Sequence, residues 1–164
     1  MFTSLLIIGL VTPAYAGKLA DGYRDYGWGE MSVPKQIPGA SCTPLDPKIG
    51  APWTCKTTLG AVEVSVTPAY DQGRLYGWVI SSQGYSNCDT IMDTLTVAYG
   101  PSRPSRDFMD KKLDDRWWAD GDVQAFWDYN QYSTKCTVVI KNFKESKIVE
   151  VANKAAAASG VGDL

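Results

Sequence analysis

The chain has 164 residues, of which 45% are hydrophobic and 12% aromatic, and it has a formal net charge of -2 and no histidine. This length suits one domain, and the interleaved charges offer no basic surface for nucleic acid and no polybasic face for anionic lipid. Without histidine, Ser-His-Asp and Cys-His triads and imidazole ligation of zinc, copper or haem are excluded. We expect no nucleic-acid partner, no metal and no cofactor.

Residues 1–16 are typical of a secretory signal peptide. An apolar run over residues 5–11 leads to a small-x-small cleavage pattern at residues 14–16. The run is shorter than the roughly 20 residues that a membrane-spanning helix needs, and Thr12-Pro13 interrupts it. An uncleaved anchor stays open because no Lys or Arg precedes the apolar run. We predict cleavage after Ala16, a periplasmic or secreted location, and no membrane span in the mature chain.

After the leader, residues 17–58 are rich in glycine, proline and aromatic residues and are expected to belong to the same single domain as residues 59–164. Alternating valines over residues 62–66 predict a half-buried strand, and Pro68 is expected to end it or confine it to a sheet edge. Residues 74–81 predict the returning strand of a hairpin. Within that strand, Gly77 indicates a bulge or a close backbone approach.

Apolar positions spaced three and four residues apart predict a helix over residues 86–99, with Ser86 as its N-cap and Gly100-Pro101 as its stop. Residues 102–115 are expected to be an exposed connection. Apolar and polar residues alternate over residues 123–129, which predicts a strand. Residues 130–134 then predict a turn into a further strand over residues 135–141, so a second hairpin is expected. The last helix is expected over residues 144–159. The fold class predicted is α+β, an antiparallel sheet of two hairpins with one or two helices packed on one face.

Four cysteines, an even number in an exported chain, indicate disulfides: Cys42, Cys55, Cys88 and Cys136. Spacing alone leaves three pairings open. Cys88 continues the apolar stripe of the first predicted helix, and Cys136 shares a strand face with Val138 and Ile140. We therefore predict that Cys88 pairs with Cys136, which joins helix to sheet, and that Cys42 and Cys55 close a short proline-containing loop.

Aspartates concentrate in one third of the chain, near three tryptophans. Two carboxylic acids beside aromatic rings suit a glycosidase, in which one protonates the leaving oxygen and the other acts as base or nucleophile. A solvated, salt-bridged connection is the favoured alternative, because acidic residues are common in loops. The segment 120–122 lacks the ligand pattern of an EF-hand. No catalytic residue is predicted; the aspartates are Asp107, Asp110, Asp114, Asp115, Asp120, Asp122 and Asp128.

Six tryptophans and nine tyrosines exceed what a small core commonly uses, so some are expected to be exposed. Adjacent strand residues face opposite ways, so one ring of the Trp117-Trp118 pair must leave the buried side of the sheet. An exposed aromatic cluster with a polar rim is typical of a protein interface or of sugar-ring stacking. The predicted binding surface consists of Trp117, Trp118, Tyr132, Tyr23 and Trp28.

Three segments of the chain form a recognisable pattern: the aromatic-x-Trp-Gly opening at residues 23–29, the hairpin residues 73–76, and the helix end at Leu95 and Tyr99-Gly100. Together they resemble a scattered group of small exported bacterial proteins of unknown function. The pattern covers about half of the mature chain. The resemblance implies a bacterial or phage-borne envelope protein and supplies no catalytic residues.

Three functions are compatible with these patterns. The absent histidine and the aromatic excess favour an exported, non-catalytic binding or inhibitor-like domain that acts on a macromolecular partner, a protein or a cell-envelope polymer. The second is a carboxylate-dependent polysaccharide or cell-wall hydrolase. The third is a structural subunit of an envelope or viral assembly, for which a long unpaired strand edge or a concentration-dependent oligomer would be the sign.

Overall fold

The computed structural model describes residues 26–31, 33–46, 50–104 and 113–160. The predicted signal peptide and Tyr23 lie outside the described residues. In the described ranges the chain forms β1 (Gly29–Glu30), β2 (Ser41–Pro44), β3 (Trp53–Leu59), β4 (Val62–Asp71), β5 (Arg74–Gln83), α1 (Tyr85–Tyr99), β6 (Arg103–Pro104), β7 (Leu113–Asp120), β8 (Val123–Asn130), β9 (Lys135–Asn142) and α2 (Phe143–Gly160).

The strands form one antiparallel sheet in the order β2-β3-β4-β5-β9-β8-β7-β6, and β1 pairs with the start of β5. The predicted α+β class and both predicted hairpins, β4–β5 and β8–β9, are confirmed. The sheet is larger than two hairpins because β3 and β2 extend it on one side and β7 and β6 on the other.

The two halves of the sheet repeat one topology, three antiparallel strands followed by a helix: β3-β4-β5-α1 and then β7-β8-β9-α2. The third strands of the two halves pair at the centre, where Val79 lies opposite Val139. Each half makes its first turn through a glycine with positive φ, Gly60 and Gly121. The side chains differ between the halves, which explains why the repeat is not visible in the sequence.

One face of the sheet carries the main hydrophobic core. Burial alternates along the strands, so that Val62, Val64 and Val66 of β4 are buried while the residues between them are more exposed. The helix α1 packs on this core face through Cys88, Ile91 and Leu95. Burial of each of these three valine side chains contributes about 1.5–3 kcal/mol of transfer free energy. The alternation therefore determines which face of the sheet is inside.

The predicted first helix is confirmed, and one of its predicted caps is wrong. Gly84, with a φ of 98°, occupies the N-cap position, and Ser86 lies inside the first turn. A backbone at this φ favours glycine. Glycine therefore occupies the N-cap because the chain turns sharply as it leaves β5, and no side-chain hydrogen bond caps the helix there. Gly100, with a φ of 82°, ends the helix as predicted and donates its N–H to the carbonyl of Thr96.

The described part of the N-terminal segment covers the core face over β3, β4 and β5. The ring centroids of Tyr26 and Trp53 lie 5.1 and 6.1 Å from that of Trp78. Trp53 donates its indole N–H to the carbonyl of Pro34 over 2.7 Å, and Ile37 is 2% exposed. These contacts bury large aromatic surfaces and place the segment in the same core as the sheet.

Two residues of the first hairpin show how backbone chemistry shapes the sheet. Pro68 does not end β4, which runs on to Asp71, nor does it lie in an edge strand. The β3 ladder stops at the Cys55–Val66 pair, so at Pro68 no ladder bond to β3 needs an N–H. The prediction for Gly77 is confirmed: the β4–β5 register shifts there, and a Cβ on Gly77 would lie 2.9 Å from the carbonyl oxygen of Ile140.

Both predicted disulfides are present. Cys42 and Cys55 are directly opposite across β2 and β3, with 4.0 Å between their Cα atoms. Cys88 of α1 and Cys136 of β9 have Cα atoms 5.7 Å apart and join helix to sheet. Each disulfide constrains the unfolded chain, the second more strongly because it closes a longer loop.

The second helix is anchored at its start and along one side. Asn142 accepts a hydrogen bond from the N–H of Glu145 over 3.1 Å, which caps the helix. The Glu145 carboxylate, 12% exposed, forms an ion pair of 2.7 Å with Arg74. Val149 is buried outside the main core cluster. None of the helices in the described ranges is both long and apolar enough to cross a membrane.

Candidate binding surface

The structure places Trp117 and Trp118 on opposite faces of β7. Trp118 is 4% exposed, belongs to the core, and donates its indole N–H to the carbonyl of Gly100 over 2.8 Å. Trp117 lies on the sheet face opposite the core, which we call the outer face, and is partly exposed. One ring of the pair leaves the buried side, as expected, and that ring is Trp117.

On the outer face Trp117 is part of an aromatic group that includes a residue of the neighbouring strand. Phe126 of β8 lies directly opposite Trp117 and is 39% exposed. The ring of Phe143, the first residue of α2, meets Phe126 edge to face with centroids 6.5 Å apart. We call Trp117, Phe126 and Phe143 the outer aromatic cluster.

Cations lie over both ends of the outer aromatic cluster. The Arg103 guanidinium carbon lies 5.2 Å from the ring centroid of Trp117, and the Lys141 ammonium lies 5.1 Å from that of Phe143. A cation over an exposed ring contributes about 0.5–1 kcal/mol. These contacts orient the terminal rings and leave Phe126 between them.

A depression of about 490 Å³ lies beside Trp117 and Phe126. Asp115 and Asp128 are opposite one another in the β7–β8 ladder, one register step along the outer face from the two rings. Gln124 lies on the other side of Phe126 in the same strand. The full lining is Asp115, Arg116, Trp117, Gln124, Phe126, Trp127 and Asp128.

A second depression, of about 310 Å³, lies over β3, β4 and β5. Apart from Val64, its lining residues have hydroxyl, amide or charged side chains, with two lysines, Lys56 and Lys135, and one carboxylate, Glu63. The full lining is Lys56, Glu63, Val64, Ser65, Ser81, Ser82, Gln83, Asn87 and Lys135.

One row of cross-strand neighbours connects the two depressions. Ser81, in the wall of the second, pairs with Thr137, and Thr137 pairs with Asp128, in the wall of the first. The complete row, which we call the polar row, crosses six strands: Lys56, Ser65, Ser81, Thr137, Asp128 and Asp115. The two depressions are thus two ends of one polar path on the outer face.

The other residues of the predicted binding surface do not join the outer aromatic cluster. Trp28 is partly buried and packs against the core. Tyr132 is 68% exposed in the turn after β8. Phe126 and Asn130 are four strand positions, about 13 Å, apart, and Tyr132 lies beyond them.

Of the clustered aspartates, the structure brings Asp115 and Asp128 together. Asp120 and Asp122 flank Gly121 at the β7–β8 turn, where the carbonyl of Asp122 accepts the N–H of Phe143 over 2.9 Å. Asp107 and Asp110 lie outside the described residues, as does the side chain of Asp114. In the ranges described, no three carboxylate or cysteine side chains form a group that could hold a metal ion.

Phe126, Phe143 and Arg103 were not selected from the sequence. The alternation of β8 already places Phe126 on the face opposite Trp127, so its outward position was readable. Its position beside Trp117 depends on the β7–β8 register, which the turn at Gly121 sets. Arg103 and Phe143 reach the cluster only through the tertiary placement of β6 and α2.

Comparison of the chain with protein-family models, with curated proteins and with solved structures finds no match.

Proposed function

We propose that this chain is an exported, non-catalytic binding domain that engages a macromolecular partner, a protein or a cell-envelope polymer, through the outer face of β7 and β8. The observation that carries the proposal is the Trp117–Phe126 pair, two aromatic residues on neighbouring strands facing away from the core beside a depression of about 490 Å³. Aromatic and arginine side chains contribute most of the binding energy at typical interfaces.

The arrangement of these rings supports binding because they are already held in place. Trp117 has Arg103 over its ring, and Phe126 contacts Phe143. Immobilising a flexible side chain at an interface costs about 0.5–1.5 kcal/mol, so rings ordered beforehand lose less on association. Both Trp117 and Arg103 belong to the residue types that are enriched at interface hot spots.

Export is part of the proposal, and two observations support it. Two disulfides join Cys42 to Cys55 and Cys88 to Cys136, and such bonds persist in oxidising compartments. The sequence of residues 1–16 predicts a secretory signal peptide. A periplasmic or secreted location is the compartment that fits both.

The proposal is tested by affinity capture from envelope extract with the mature, oxidised protein. Trp117→Ala is compared with Val97→Ser, a change at an 80% exposed residue of α1 on the core side of the sheet. The partner is identified by mass spectrometry. We expect Trp117→Ala to capture about tenfold less of it or lower, and Val97→Ser to capture as much as the wild type. Equal urea midpoints for the two variants serve as the folding control. Equal capture by both would contradict the proposal.

A second candidate, a carboxylate-dependent polysaccharide hydrolase, is favoured by one observation. Asp115 and Asp128 are direct cross-strand neighbours, a placement that brings Cβ atoms to about 4.5–5.5 Å, beside Trp117. Cβ atoms at this spacing allow the carboxyl groups themselves to reach the separation of about 5–5.5 Å that retaining glycosidases use. Asp128 is exposed, which favours binding over catalysis. Release of reducing ends from a soluble polysaccharide, abolished by Asp128→Asn, would establish the hydrolase.

The third candidate, a structural subunit, receives less support from the sheet edges. The outermost strands of the described sheet are β2, of four residues, and β6, of two, and each ends in proline, Pro44 and Pro104. Short strands that contain proline are the usual protection against strand-to-strand association. An oligomer that grows with protein concentration in sedimentation velocity would favour this candidate.

A further inference from the structure

We propose that the partner is an uncharged polysaccharide, bound in an extended conformation across the strands along the polar row from β7 to β3. This inference rests on the proposed function and names the chemical class of its partner. Such a ligand would also contact the second depression, which the aromatic pair alone does not explain.

The shape of the outer face favours an elongated ligand. The polar row crosses from Lys56 of β3 to Asp115 of β7, five interstrand steps, which at roughly 4.8 Å per step is about 24 Å. The two depressions, of about 490 and 310 Å³, lie toward the two ends of this row, with Thr137 between Ser81 and Asp128 of their walls. Sugar rings in an extended chain repeat at close to the interstrand distance, so consecutive rings can follow consecutive strands.

The chemistry of the outer face matches a sugar chain better than a protein surface. Apolar side chains large enough to anchor a protein concentrate at the β7–β8 end, where Trp117 and Phe126 offer ring surface for stacking. Toward β3 the path is lined by hydroxyls, among them Ser65 and Ser81. A parallel row ends in a further hydroxyl pair, in which Thr67 donates to Thr54 over 2.8 Å. A ligand with apolar ring faces and hydroxyl rims finds partners along the whole path.

The charges lining the two depressions favour an uncharged polymer. The first depression has the two carboxylates Asp115 and Asp128 with the Arg103 guanidinium over the neighbouring Trp117 ring, and the second has two ammonium groups and one carboxylate, so both signs are present at each end. A polyanion would gain attraction at Lys56 and Lys135 and meet repulsion at Asp115 and Asp128. A polycation would meet the reverse. The outer face therefore offers neither polymer the surface of a single charge sign that electrostatic binding requires.

The test is a length series of uncharged oligosaccharides, titrated calorimetrically into the full oxidised protein. The probes are the disaccharides and hexasaccharides of β-1,4-linked glucose, N-acetylglucosamine, xylose and mannose. We expect at least one hexasaccharide to bind about tenfold or more tightly than its disaccharide, because only the longer chain reaches both depressions. Trp117→Ala should weaken both lengths about tenfold or more, since both use the aromatic end.

Lys56→Ala provides an independent variant at the other end of the path. It should weaken the hexasaccharide several-fold and leave the disaccharide unchanged, which a general loss of folding would not produce. Val97→Ser is the matched control for both lengths. The inference is overturned if no hexasaccharide binds, if both lengths bind equally, or if Trp117→Ala binds as wild type. If glycan binding fails while Trp117 is still required to capture a protein from envelope extract, the binding proposal stands and the polysaccharide is excluded.

Discussion

Separate removal of the two disulfides tests how much each bond contributes to the stability of the fold. The bonds span sequence separations of 13 residues for Cys42–Cys55 and 48 for Cys88–Cys136. In the chain-entropy model these loops correspond to ~3 and ~4 kcal/mol of the free energy of unfolding. Cys88 and Cys136 are both 1% exposed, whereas in the other pair Cys55 is buried and Cys42 is partly exposed, so alanine at Cys88 and Cys136 adds the larger loss of packing to the larger entropic term.

The assay is urea unfolding of the Cys42→Ala/Cys55→Ala and Cys88→Ala/Cys136→Ala double variants, followed by tryptophan fluorescence. We expect both to lose stability and the second to lose more, by about 1 kcal/mol or above. Reduction of the wild type should remove both contributions, ~7 kcal/mol, a large part of the about 5–15 kcal/mol typical of a domain. An equal or larger loss in the Cys42/Cys55 variant would contradict the larger contribution assigned to the Cys88–Cys136 bond.

Three further predictions concern the sheet and its contact with α2. Gly77→Ala should lower the free energy of unfolding by about 1–3 kcal/mol, because its Cβ would lie 2.9 Å from a β9 carbonyl oxygen; an unchanged urea midpoint would argue against this contact. Burial first, and a neighbouring carboxylate second, raise the pKa of Tyr76 above its ordinary 10.0. The folded state thus holds that proton more firmly, and the associated stability is present below about pH 10 and lost above it. Tyr76→Phe should reduce the fall in urea midpoint between about pH 9 and pH 11, and an equal fall in both proteins would count against it. Arg74→Ala leaves the 12% exposed carboxylate of Glu145 unpaired and should cost about 1–3 kcal/mol, more than Lys154→Ala in an exposed pair; the reverse order would contradict the assignment.

The parts of the fold that could be predicted from the sequence are those set by local periodicity and local turn chemistry. The alternating valines of β4 and the three- and four-residue spacing of α1 identify buried faces directly. The inward direction of Cys88 and Cys136 then selects one disulfide pairing, which the structure confirms. Gly100 ends α1 as expected, because a positive φ is a local requirement.

The parts that could not be predicted depend on which strand lies next to which. Pro68 was expected to limit its strand, yet it lies within β4 where the β3 ladder has already stopped. Nothing local to residue 68 reports where the β3–β4 ladder ends. The pairing of β3 and β7 with the two hairpins also depends on which strands are neighbours, and β2 and β6 are too short to show a periodicity.

The binding surface, too, has features that local sequence predicts and features that depend on which strands are neighbours. Local alternation predicts that one ring of the Trp117-Trp118 pair is exposed, but not which ring, because that depends on the pairing of β7 with β8. Trp118 is the buried ring, and its indole N–H is satisfied by a carbonyl at the end of α1. Phe143 reaches the surface only because α2 begins beside Phe126.

Side-chain footprinting of the protein, free and bound to the partner that it captures, tests directly whether the outer face is the binding surface. Hydroxyl-radical labelling followed by mass spectrometry reports the exposure of each aromatic ring. We predict that binding protects Trp117 and Phe126 and leaves Tyr85, 65% exposed at the start of α1, labelled as in the free protein. Protection of Tyr85 with no change at Trp117 and Phe126 would contradict the claim that the outer face is the binding surface.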